Sequence, residues 1–165
     1  MAVALQNILR FIFLILLQVF ILDNIQFMGY INPMIYVLFI LSLPVRFPKW
    51  ALLILAFIMG LIIDVFSNTA GMHSFALVFA AFLRTPVINI FTSLDEGANP
   101  TPSFHTFGVS AYVKYVVILV LIHHFILFFI ESFSFLHLTL LIPKIIISST
   151  VTILLILGLQ SFKSK

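Results

Sequence analysis

The chain has 165 residues, 63% hydrophobic and 8% charged, with a net charge of +3 and a mean hydropathy of +1.29. A soluble domain is roughly one quarter charged, so these side chains could not clothe a water-facing surface, and the composition is that of an integral membrane protein. The lack of cysteine excludes disulfides, thiolate metal sites and cysteine nucleophiles; the basic residues stand singly, as orientation signals rather than as a nucleic-acid patch.

A crossing helix needs about 20 mostly apolar residues. Candidate spans lie near 6–22, 31–45, 50–66, 72–91, 109–130 and 136–160. The first resembles a signal peptide, with Arg10 before an apolar run. No small-residue cleavage site follows Phe20-Ile21-Leu22-Asp23, so an uncleaved span is expected. In the second, only Met34 to Leu43 is unbroken between Pro33 and Pro44. That is roughly 15 Å of helix, which predicts a broken span with FMGYIN as an interfacial or re-entrant lead-in.

The third and fourth candidates form a hairpin, GLIIDVFSNTAGMHSFALVFAAFLR. Asp64 precedes SNTAG, which can turn the chain and cap the next helix. Gly60 and Gly71 would let another helix or the turn approach closely. His73 reads as an interfacial residue at the start of a span. Arg84 is expected to snorkel to the cytoplasmic interface. At ~1.5 Å per residue Asp64 and Arg84 fall at different depths, so no ion pair is expected between them.

Residues 92–108, rich in Asp, Asn, Pro and Gly, form a loop too short to be a domain. The whole chain, 1–165, therefore reads as a single membrane domain. In the last two spans, Lys144 leans toward its helix N-terminus and hence toward Glu131 or Asp64, one of which is its expected partner. His123 and His124 point about 100° apart on a helix and do not chelate together. There is no HExxH motif and no phosphate-binding glycine loop, and Ser110 of GVSA lies far along the helix from either histidine. No enzyme activity, cofactor or metal is expected.

With about six spans and both termini inside, Arg10, Arg46, Lys49, Arg84, Lys114, Lys163 and Lys165 lie at the cytoplasmic side. Asp23, Asp64 and Glu131 then lie at outer helix ends, and the 92–108 loop is cytoplasmic. A five-span, N-out arrangement would misplace only Arg10.

The hairpin also carries a family resemblance. Phe57-x-x-Gly60-x-x-x-Asp64-x-Phe66-Ser67-x-Thr69-x-Gly71-Met72-His73, followed by Phe82-Leu83-Arg84, resembles the central signature of the rod shape-determining protein MreD family. LLQVFILDNIQFMGYINPMIYVLFILSLP is similar to that family's first two spans, and LVLIHHFILFFIESF to the later hairpin of its Bacteroidetes-type version. The resemblance implies an all-α, polytopic bundle like the substrate-binding subunits of energy-coupling-factor transporters. It also implies a non-catalytic scaffold in the bacterial inner membrane that binds MreC within the peptidoglycan-elongating Rod complex, alongside MreB, RodA and an elongation transpeptidase. Its surroundings are then membrane lipid, with no nucleic acid and no small-molecule substrate. The rival is a transporter subunit binding a vitamin or metal from outside, which should present a concave outer pocket with convergent polar side chains. The few outer candidates for one are Asp23, Asn24, Asp64, Asn68, His73 and Glu131.

Overall fold

Helix α1 runs from Ala2 to Leu17 and continues through one π-helical turn, Gln18–Leu22. The computed structural model describes residues 2–24, 31–93, 97–132 and 138–163. After α1 come a short α2, Val37–Leu41, then α3, Lys49–Ser67, and α4, Met72–Phe91. A single turn, α5, Phe104–Phe107, leads into α6, Val109–Ser132, and α7, Leu138–Lys163. Among the described residues there is no strand, and five helices are long and apolar enough to cross a membrane: Leu5–Leu22, Lys49–Ser67, Met72–Phe91, Val109–Ser132 and Leu141–Phe162.

Helix α6 is central, packed against α4 on one side and α7 on the other, with α3 paired to α4 and α1 lying against α2 and α3. Its inward face reads Tyr112, Tyr115, Val116, Leu119, Val120, His123, Leu127 and Phe128, the spacing of one stripe of a 3.6-residue helix. Outward-facing apolar side chains such as Phe13, Phe20, Val65, Phe79, Phe125 and Leu154 remain exposed, as contact with hydrocarbon requires. Pro86 and Pro143 sit inside α4 and α7 without ending either helix.

The second candidate span is broken, and it is the best buried part of the chain. Met34, Ile35, Tyr36, Val37, Phe39, Ile40, Leu41 and Leu43 are all buried. Pro44 lacks an N–H and disfavours helix at the residue before it, and α2 accordingly ends at Leu41. Most of the FMGYIN lead-in falls at 25–30, outside the described residues. The segment touches Gln18, Ser148 and Thr152 at one end, and Arg10, Arg84 and Asn99 at the other. It thus runs along the inside of the bundle between what are called here the Asp64 end and the Arg84 end.

The turn joining α3 to α4 depends on two left-handed residues, Asn68 at φ 54° and Gly71 at φ 80°. An added Cβ at Gly71 would meet nothing within 4 Å. The expected close approach is therefore not why glycine stands there; the positive φ is. Residues 97–100 dock on the 45–46 strap, where Val45 N–H donates to the Pro100 carbonyl at 3.0 Å and Arg46 N–H to Asn99 Oδ1 at 2.7 Å.

Candidate functional site

Irregular backbone inside a bilayer must find partners within the protein, because no water is there to supply them. The broken segment therefore sets the demand that many buried polar side chains meet. At its leading end the needy groups are N–H donors. Asn32 N–H donates to Ser148 Oγ at 3.2 Å, Met34 N–H to Thr152 Oγ1 at 3.0 Å, and Ile35 N–H to Gln18 Oε1 at 2.9 Å. Gln18, 1% exposed, also donates through Nε2 to Asp23 Oδ1 at 2.7 Å and to the Pro33 carbonyl at 3.1 Å. The π-helical turn is where this amide is aimed.

At the trailing end the needy groups are carbonyls, and two cations meet them. Arg84 donates through Nη2 to the Leu43 carbonyl and, at 3.2 Å, to that of Pro44. Its Nε donates to Tyr115 Oη at 3.1 Å, and that hydroxyl donates onward to the Leu41 carbonyl at 3.1 Å. Arg10 donates to the Ser42 carbonyl at 3.2 Å and to its hydroxyl at 3.0 Å. This corrects the expectation that Arg84 snorkels to the interface. Its side chain is 0% exposed and turned inward, because carbonyls stranded by Pro44 attract a guanidinium more strongly than a distant surface does.

The hairpin turn forms the second polar cluster. Asp64 Oδ1 accepts from Thr69 Oγ1 at 2.6 Å and from His73 N–H at 3.0 Å. Its Oδ2 accepts from Ser74 N–H at 2.9 Å and Ser74 Oγ at 2.6 Å. Those two N–H groups are among the orphan donors of α4's first turn, so a carboxylate from the preceding helix does the work of an N-cap. Gly60 allows it: a Cβ there would stand 2.4 Å from Ser74 Cα. Asp64 and Arg84 accordingly have separate sets of partners.

His73 stands in the first turn of α4, at the start of a span as its position suggested, but its side chain turns into the protein. It is buried, with Nδ1 3.1 Å from Asp64 Oδ1. A carboxylate only accepts, so Nδ1 carries the proton and Nε2 is left over. His123 and His124, on α6, are fully buried. Tyr36 Oη and His123 Nε2 are 2.9 Å apart, while His124 Nδ1 donates to the Val120 carbonyl at 2.9 Å and its Nε2 meets Thr152 Oγ1 at 3.2 Å. His123 and His124 do diverge, as the helical geometry requires.

Lys144 takes the first of its two expected partners. Its Nζ donates to both Glu131 oxygens, at 3.0 and 2.9 Å, and lies 4.5 Å from the Phe128 ring centroid. Near this pair a cavity of about 330 Å³ opens at the Asp64 end. The end of α1 and the start of the broken segment contribute Asp23, Asn24 and Asn32; the hairpin contributes Ser67, Thr69 and His73; α6 contributes Glu131. Convergent polar side chains around a concavity are the feature expected of the transporter rival, and four of its six outer candidates, Asp23, Asn24, His73 and Glu131, line this one.

Gly60, Asp64, Gly71 and His73 thus belong to one hairpin, Glu131 to the cavity's far wall with Lys144 paired to it from outside the lining, and Arg84 to the opposite end of the bundle. Sequence reasoning missed Gln18, Tyr115, Ser148 and Thr152. The spacing of Ser148 and Thr152, one turn apart on a helix, was the available signal. Comparison with known proteins finds no matching family model, no similar curated protein and no similar solved structure.

Proposed function

We propose that this chain is a non-catalytic membrane scaffold of the bacterial cell-wall elongation machinery, the Rod complex, where it binds MreC and helps maintain rod shape. The observation that carries the reading is the Phe57 to Arg84 signature, resembling that of the MreD family. The geometry of those residues supports it. Gly60, Asp64 and the Thr69–Ser74 turn make a stiff outer hairpin tip, and Arg84 ties the same hairpin to the broken segment. A rigid, small-residue tip suits lateral contact with a single-span partner.

Under this reading the protein lies in the inner membrane with the Arg84 end in the cytoplasm. Arg46, Lys49 and Lys114 accompany Arg84 there, in keeping with the positive-inside rule, while Asp23, Asp64 and Glu131 gather at the other end. The broken segment counts as a sixth crossing. MreB, RodA and the elongation transpeptidase are partners within the same assembly.

The cavity beside His73 favours a second reading, a substrate-binding subunit of an energy-coupling-factor type transporter. A mild-detergent pull-down of the tagged protein from its native cells, read by mass spectrometry, separates the two. Recovery of MreC with the wall-elongation enzymes supports the scaffold. Recovery of a paired ATPase with its transmembrane coupling subunit replaces it.

A further inference from the structure

We propose that the cavity at the Asp64 end binds a small amphipathic organic cation, an amine carried on an apolar body. Its lining includes the carboxylates of Asp23 and Glu131, and among the described lining residues there is no arginine or lysine. Lys144 grips Glu131 from outside this lining, and each carboxylate oxygen keeps a lone pair beyond the bonds it already accepts. The wall is therefore rich in acceptors, and Asp23, bonded among the described residues only to neutral donors, keeps a negative charge that Lys144 offsets at Glu131 alone.

His73 gives that wall a built group rather than a chance one. Asp64, 2% exposed, holds the protonated Nδ1, which leaves Nε2 as an acceptor on a residue that lines the cavity. Asn32 lines it too, and its side-chain amide has no partner among the described residues. An ammonium group needs acceptors of this kind, and a carboxylate or phosphate would be repelled.

The remaining lining explains the apolar body. Phe66, Met72 and Leu127 offer hydrocarbon, and an aromatic face adds attraction for a cation. A volume of ≈ 330 Å³ suits a small molecule better than a stretch of polypeptide. The apolar share of the lining is what calls for an organic cation rather than a bare metal ion.

The test uses the full chain in lipid nanodiscs, with 2-phenylethylamine as probe and the isosteric 2-phenylethanol and 3-phenylpropanoate as controls. The amine is expected to raise the Tm and to titrate saturably by calorimetry, and neither control does so. Glu131→Gln should weaken the amine at least about tenfold, the loss of one charge-assisted contact. Met72→Trp, which fills the cavity from the turn, should abolish binding in a protein that still unfolds cooperatively. Equal responses to amine and alcohol, no response to the amine by folded protein, or an unaltered affinity in both variants would overturn the proposal. Cation binding and MreC assembly fail separately, since the pull-down reads only the partner and the titration only the cavity.

Discussion

Arg84 donates to the main-chain carbonyl of Leu43, so a fully buried guanidinium in α4 holds a backbone that proline has broken. Removing the donor strands the Leu43 carbonyl, whereas the Pro44 carbonyl keeps Phe47 N–H and the Tyr115 hydroxyl keeps the Leu41 carbonyl, each at 3.1 Å. Arg84→Leu should cost about 1–3 kcal/mol for the carbonyl left unpaired. Arg84→Lys should recover only part of the loss, because a lysine lacks the planar fork that serves three acceptors. Thermal unfolding in detergent reads both, and equal stability of Arg84→Leu and wild type would refute the role.

Asp64 accepts with both oxygens, and an asparagine has one acceptor oxygen and a donating NH₂ that would face other donors. Asp64→Asn should therefore destabilise the protein nearly as much as Asp64→Ala, by about 1–2 kcal/mol. Under the proposed scaffold role, the same Asp64→Ala protein should still insert but co-purify with less MreC. Undiminished co-purification would separate the hairpin tip from partner binding.

Glycines differ according to what surrounds them. Gly60→Ala drives a methyl into the Ser74 backbone and should cost about 1–3 kcal/mol, whereas Gly158, with nothing within 4 Å of its would-be Cβ, should accept alanine without loss. Gly71→Ala should be destabilising although the space is open, since φ there is 80°. A ranking by melting temperature in which Gly158→Ala falls below Gly60→Ala would contradict the packing.

Thr152→Val keeps the shape and removes the oxygen that Met34 N–H, 3.0 Å away, depends on. The expected loss is about 1–3 kcal/mol, the cost of an orphaned buried donor. Thr150→Val is the control, because that hydroxyl is exposed and bonds only within its own helix. Indistinguishable melting curves for the two variants would show that the strap is held by packing alone.

The Lys144–Glu131 pair is partly exposed, at 22% and 45% for the two side chains. A double-mutant cycle with Lys144→Met and Glu131→Gln should give a coupling below about 1 kcal/mol. A much larger coupling would mean that the pair is shielded from water and counts for more than the packing implies.

What could be read from the chain was what lies near in sequence. Asp64 and the donors it caps are on either side of one turn, and Lys144 and Glu131 face each other at the same end of the bundle, so turn chemistry and helix direction were enough. Gly60 was legible for the same reason. Arg84 was misread because its partners, Leu43 and Pro44, lie on another segment, and nothing local says that α4 packs beside it. Gln18, Ser148 and Thr152 look like ordinary polar residues in apolar helices until the strap they serve is placed between them. The cavity's candidates Asp23, Asn24, His73 and Glu131 could be named but not joined, because its wall is assembled from the end of α1, the broken segment, the hairpin and α6.

The bonds from Asn32 and Met34 to Ser148 and Thr152 join the broken segment to α7. A ribosome releases the chain from its N-terminus, so these two amides enter the bilayer well before their hydroxyl partners exist. Until α7 is threaded into the membrane the strap has no settled place, and a truncated nascent chain lacking α7 should remain with the translocon or its chaperones. Maturation of this protein is thus gated by α7, although the segment it completes is made well before it.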